Sequence, residues 1–369
     1  MTILIHIGPP KTGTSAIQKA LKIAEKNKYF KLNGIKYLNN KISNNDILFF
    51  IAQIESEPAR EYKQSYSLEL NEYKKNSFNY LNKLINQKQK QISLYISSSE
   101  YLFRINKDEI IKLQNNLLKL DNDIRVITFI RDPLKQYVSQ FSENIKNSTK
   151  LTLPLETNQY KQLLLWKEIF KENFYVFNFE KYSLSGSILF KFEDLINDLL
   201  KENNKNKIQL KKGILENQSL SAELAYAIYK FRKINNLVDN KYYRFLNLAA
   251  KKASHFNNSN KLILTSEAKN EFIKNNKNLY KLLEKKYKFE FKYEINKSLN
   301  SKKKDINNFN SFDSIIDNYD RKISETIYNF LNEEIKKHKL PIQLFFLLKN
   351  LLKRIFSKLS KLLANYKNN

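Results

Sequence analysis

Short apolar runs, each followed by a stretch of helical period, constrain this chain more than any other feature. Residues 2–7 (TILIHI), the stretch QISLYISSSEYLF at 91–103 and DIRVITFIRDP at 123–133 read as strands, and 14–26, 107–120 and 134–147 read as helices. NFYVFNFEKY at 173–182 reads as a further strand, and 35–38, led by Asn33-Gly34, as a short one. Residues 45–90 are polar with helical periodicity, and beyond about 185 the pattern is mainly helical. Strands alternating with helices predict an α/β fold with a parallel sheet flanked by helices. In such sheets ligands bind at the carboxyl ends of the strands. Three polar clusters fall there: the loop at 8–15, Ser97–Glu100, and Arg131-Asp132.

The loop after the first strand, HIGPPKTGTSAIQ, holds two of the five glycines in 369 residues. A glycine-containing turn between strand and helix turns backbone N–H groups toward an anion, and the helix dipole adds to the attraction. Thr12, Thr14 and Ser15 add hydroxyl donors and Lys11 a positive charge. A plain strand–helix turn with a surface lysine is the alternative, which the run of donors in Lys11–Ser15 weighs against. Nucleoside triphosphatases carry lysine just after the second glycine of G-x-x-x-x-G-K-[ST]. Here Lys11 precedes Gly13, so the expected cargo is an anion other than a nucleoside triphosphate.

A net charge of +28 points to an acidic partner or, equally, to a composition rich in Lys, Asn and Ile throughout. No cysteine is present, which excludes disulfides and thiol chemistry. His6, His255 and His338 lack metal-ligand spacing, so no metal site is expected. The N-terminal apolar run leads straight into the loop and reads as a strand rather than a leader, predicting a cytoplasmic protein. No run of eighteen uncharged apolar residues predicts a membrane span. Residues 296–312, rich in Asn, Lys and Ser, read as a linker between a domain at 1–295 and a basic helical tail at 313–369. Within that tail 340–366 is amphipathic: Leu344, Leu348, Leu351, Leu352, Ile355, Leu359 and Leu362 share one face. Lys349, Lys353, Arg354, Lys358 and Lys361 lie largely on the other. Such a helix suits an anionic membrane surface, giving a peripheral protein, or packs on protein.

PKTGTS, Pro10–Ser15, after an apolar strand resembles the 5′-phosphosulfate loop of sulfotransferases that use 3′-phosphoadenosine-5′-phosphosulfate (PAPS). The wider HIGPPKTGTSAIQ is similar to the start of bacterial, carbohydrate-sulfotransferase-like enzymes. VITFIRDPLKQYVSQF resembles the family's 3′-phosphate motif, with Arg131 and Ser139 at the required separation. The resemblance extends over about residues 2–295. It implies a P-loop-type α/β fold and transfer of a sulfuryl group from PAPS, without a metal, to a hydroxyl or amine of an acceptor. The acceptor it suggests is a cell-surface glycan or its precursor. It further implies that Pro10, Lys11, Thr12, Gly13, Thr14 and Ser15 hold the 5′ end, Lys11 acting catalytically, and that Arg131 and Ser139 hold the 3′-phosphate. Glu100 is the candidate general base, with acceptor binding or capping of the next helix as its alternatives. His6 is the competing base, or a hydrogen-bonded core residue. Trp166 reads as core, and Lys211 or Lys212 as a nucleotide-closing contact or a solvated pair.

Two rivals stand beside this reading. A P-loop kinase would need its lysine after Gly13. A non-catalytic polyanion- or nucleic-acid-binding protein would use the charge, but the basic residues are dispersed and no nucleic-acid motif is present.

Overall fold

Thr2–Ile7 forms β1, with every residue buried, and the other strands are laid down on both sides of it. In the computed structural model the described residues are 1–39, 46–53, 70–87, 91–148, 151, 157–184, 188–202, 207–210, 220–235, 246, 260–291 and 309–334. After β1 come α1 (Thr14–Lys26), β2 (Ile35–Tyr37), α2 (Ile47–Ala52), α3 (Leu70–Gln87) and β3 (Leu94–Ser99). They are followed by α4 (Lys107–Leu118), β4 (Asp123–Ile130), α5 (Pro133–Asn147), α6 (Gln159–Phe170), β5 (Phe174–Asn178), α7 (Phe179–Leu184) and α8 (Ile188–Glu202).

The five strands form a wholly parallel sheet in the order β2-β3-β1-β4-β5. Their near-continuous apolar runs follow from burial on both faces. Ile3, Ile5 and Ile7 of β1 pack on one face with Val126 and Ile130 of β4 and with residues of α2, α4 and α6. Leu4 packs on the other with Ile127, Phe129, α1 and α8. Trp166 is fully buried in α6, its ring stacked on Phe170. The α/β fold with a parallel sheet between helices is thus the one expected.

Several boundaries differ. β3 is confined to Leu94–Ser99, and Tyr101–Arg104 forms a 3-10 turn. The strand expected over 173–182 ends at Asn178, because Phe179–Leu184 turns into α7. α5 starts at Pro133, the residue that suits a first helical position, and Asp132 accepts the Leu134 amide at 2.9 Å as its cap.

The chain divides into two units. The first holds the parallel sheet together with α10 and α11, defined below. The second gathers Phe141–Thr152, Ser219–Thr265 and the described residues from 309 onward. In this second unit α9 (Ala222–Ile234) is capped by the Ser221 hydroxyl, and β6 (Ile263–Leu264) pairs antiparallel with a two-residue β7 (Ile316–Asp317). Phe312, 1% exposed, lies against Tyr226, Tyr229 and Phe141. The buried Arg232 donates to the carbonyls of Lys146 and Asn147 at the end of α5. α10 (Ser266–Asn275) and α11 (Lys277–Tyr287) belong to the first unit, where Leu279 and Leu283 join the core beside α6. The described part of 309–334 groups with 219–265, β7 pairing with β6 and Tyr319 stacking on Tyr226. Most of the expected linker, 296–308, and the basic amphipathic segment 340–366 lie outside the described residues. Among the described residues, no helix is long and apolar enough to cross a membrane.

Candidate functional site

The sheet order creates a switch point beside β1. From β1 the chain travels toward β2 and β3, and from β4 it travels the opposite way, to β5. A crevice at the carboxyl ends of β1 and β4 follows, where open α/β sheets bind ligands. The loop Gly8–Gly13 leaves β1 there, and Arg131 leaves β4.

The loop is braced from within and from outside. Thr12 is 0% exposed and donates its hydroxyl to the Pro9 carbonyl at 2.7 Å. Gln136 of α5 donates to the Pro10 carbonyl at 2.8 Å, and its own carbonyl accepts from Gln159 of α6. Lys11 (φ 66) and Gly13 (φ 82) are both left-handed. Left-handed residues interleaved in a turn direct successive amides into one concave face, the geometry of an anion nest. A lysine in that conformation carries about 1–2 kcal/mol of strain, held by the surrounding bonds. Gly13 has a second reason to be glycine: a methyl there would meet Ile188 Cδ1 at 2.0 Å and Phe179 Cε2 at 3.5 Å. Ala16 and Ile17 donate to the Gly13 carbonyl, so Thr14 and Ser15 open α1 with amides that have no intrahelical acceptor. Ser15 is exposed, and Lys11 and Pro10 are half-buried.

Beneath the loop, polar atoms converge. A methyl on Gly8 would stand 2.7 Å from Thr14 Oγ1, 3.0 Å from Thr12 Oγ1 and 3.4 Å from His6 Nε2. Thr14 Oγ1 and His6 Nε2 are both buried without a hydrogen-bond partner among the described residues. His6 is fully buried on β1, its Nδ1 2.9 Å from Ser98 Oγ and its ring edge-on to Phe129 and Phe192. Burial lowers its pKa to about 3, so the imidazole is neutral. These are the surroundings of a hydrogen-bonded core histidine.

Arg131 is one-quarter exposed at the end of β4. Its ion-pair partner is Glu180 of α7, with Nε 3.5 Å from Oε1, rather than the adjacent Asp132. Its guanidinium lies 5.5 Å from the centre of the Phe179 ring. Glu180 accepts the Asp132 amide at 2.9 Å, and burial raises its pKa while that amide pulls it back. Phe179 therefore connects the two halves of the crevice, against the guanidinium on one side and one methyl's breadth from Gly13 on the other.

The chain matches no family model and no curated protein.

Ser139 is half-buried two turns into α5. Glu100 follows β3, on the opposite side of β1 from Arg131, and is half-buried. It opens the 3-10 turn without a side-chain cap, and α4 is capped by Asn106, so Glu100 caps neither element. Lys211, Lys212, His255 and His338 lie outside the described residues. Among the described residues no three His, Asp or Glu side chains cluster to hold a metal. Glu180, Phe179, Gln136 and Gln159 escaped the sequence reading. Their roles come from pairing with distant segments, and the glutamines carry no local signature.

Proposed function

We propose that this protein is a sulfotransferase that moves a sulfuryl group from PAPS to a hydroxyl or amine of an acceptor, a cell-surface glycan or its precursor. The observation that carries the reading is the pairing of two anion-suited groups, the Lys11–Ser15 loop and Arg131, at the ends of adjacent strands with Phe179 between them. PAPS brings an activated sulfuryl group on a 5′-phosphate and a separate 3′-phosphate, and this chain offers donors for both. The polar cradle at Gly8, with the unpartnered Thr14 hydroxyl, fits an anion held by the loop.

On this reading the amides of Thr14 and Ser15 and the Lys11 ammonium stabilise charge developing on the departing phosphate. Arg131 and Ser139 bind the 3′-phosphate, a forked guanidinium matching two phosphate oxygens. Glu100, one strand over from the loop, takes the acceptor's proton. His6 supports the loop from below as a neutral ring. A nucleoside triphosphate kinase is the poorer fit, since Thr14 and not lysine follows Gly13. On the same reading the basic sequence of 340–366 suits the inner face of an anionic membrane, with packing on protein as the alternative. Incubation with sulfur-labelled PAPS and fractionated envelope glycans tests the reading. Label should enter one glycan fraction and be absent with a Lys11→Ala variant; no transfer to any fraction would refute it.

A further inference from the structure

A long arginine side chain loses considerable rotamer freedom when it is fixed. One that must grip a ligand through its fork gains affinity when it is held in place beforehand. Arg131 is held on two sides. Its buried Nε stands 3.5 Å from Glu180 Oε1, an ion pair without a hydrogen bond, and its guanidinium carbon lies over the Phe179 ring at 5.5 Å. Among the described residues its terminal nitrogens make no hydrogen bond. Glu180 is fixed in turn by the backbone amide of Asp132, the residue next to Arg131. Carboxylate and guanidinium are thus anchored to the same β4–α5 turn, so their relative placement survives movement elsewhere.

The geometry points to Glu180 as the positioning residue, with Phe179 as its platform, that holds Arg131 with its terminal nitrogens presented to a phosphate monoester. This rests on the function proposed above and names a residue that sets its nucleotide specificity. A phosphate monoester offers several oxygens spaced for the terminal nitrogens of the guanidinium.

Titration calorimetry with adenosine 3′,5′-bisphosphate and adenosine 5′-monophosphate separates the possibilities. The wild-type protein should prefer the bisphosphate. Glu180→Ala should lower bisphosphate affinity about tenfold and leave the monophosphate unchanged, which also reports an intact fold. Glu180→Gln keeps the length and can keep the bond to the Asp132 amide, but it then turns its NH2 toward Arg131 Nε, donor against donor, and should show the same selective loss. Glu180→Asp withdraws the carboxylate by one methylene and should show the same selective loss, which carries the test if the alanine variant does not fold. Unchanged bisphosphate affinity in Glu180→Ala or Glu180→Asp, or an equal loss for both ligands, overturns the positioning role alone. A wild-type protein without preference for the bisphosphate overturns the PAPS reading itself, and this inference with it.

Discussion

Gln136 donates its side-chain amide to the Pro10 carbonyl at 2.8 Å, tying α5 to a loop 126 positions earlier in the chain. Because Gln136 is 1% exposed and also accepts from Gln159, its replacement strands the buried Gln159 amide and the half-buried Pro10 carbonyl. Gln136→Leu should cost about 1–3 kcal/mol of stability, the penalty for buried groups left without partners. Urea unfolding would measure it, and a midpoint equal to wild type would contradict the bracing role.

Lys11 stands in the left-handed region at the lip of the loop. If it stabilises charge on the leaving phosphate, Lys11→Ala should lower turnover about 10²- to 10³-fold, the size of a lost transition-state donor. Steady-state assays of sulfuryl transfer decide this, and near-normal turnover would remove Lys11 from the mechanism.

Among the described residues Arg131 presents its terminal nitrogens without a hydrogen-bond partner. Arg131→Ala should weaken binding of adenosine 3′,5′-bisphosphate about 10- to 100-fold, in keeping with hydrogen bonds to charged groups. Calorimetry that returned the wild-type affinity would move the 3′-phosphate elsewhere.

His6 makes the fold sensitive to acid. Its pKa is about 3 in the folded protein against 6.5 ordinarily. Between those values the unfolded chain binds the extra proton, so the stability this group contributes is fully present above 6.5 and is lost as pH falls toward 3. By pH 5 the loss from this one group is about 2 kcal/mol. A His6→Asn variant should be less stable at neutral pH yet show a flatter decline in acid. Parallel declines in chemical denaturation at pH 7, 6 and 5 would show that His6 is not the group responsible.

What could be read from the sequence was what neighbouring residues decide. β1 and β4 were legible because burial on both faces makes them continuously apolar, and Asp132-Pro133 marked the start of α5. The backbone that turns at Gly13 into α1 was legible for the same reason. NFEKY misled, since its aromatic residues suit a strand, yet Phe179 and Glu180 are drawn into α7 beside Arg131 and the loop. The Arg131 partner was hidden because it depends on β5 lying next to β4, which no local pattern reports. Phe312 was hidden likewise: its neighbours Tyr226 and Tyr229 are contributed by a helix far upstream. Asn106 capping α4, which leaves Glu100 without that task, is local, but the competing Glu100 obscured it.

The ring of Phe179 has one more effect. Lying against Arg131 and one methyl's breadth from Gly13, it is a spacer between the Arg131 guanidinium and the Lys11–Ser15 loop. On the proposed function the crevice is a caliper: it would measure the separation of two anionic groups on one molecule, and charged compounds of the wrong span would engage one jaw only.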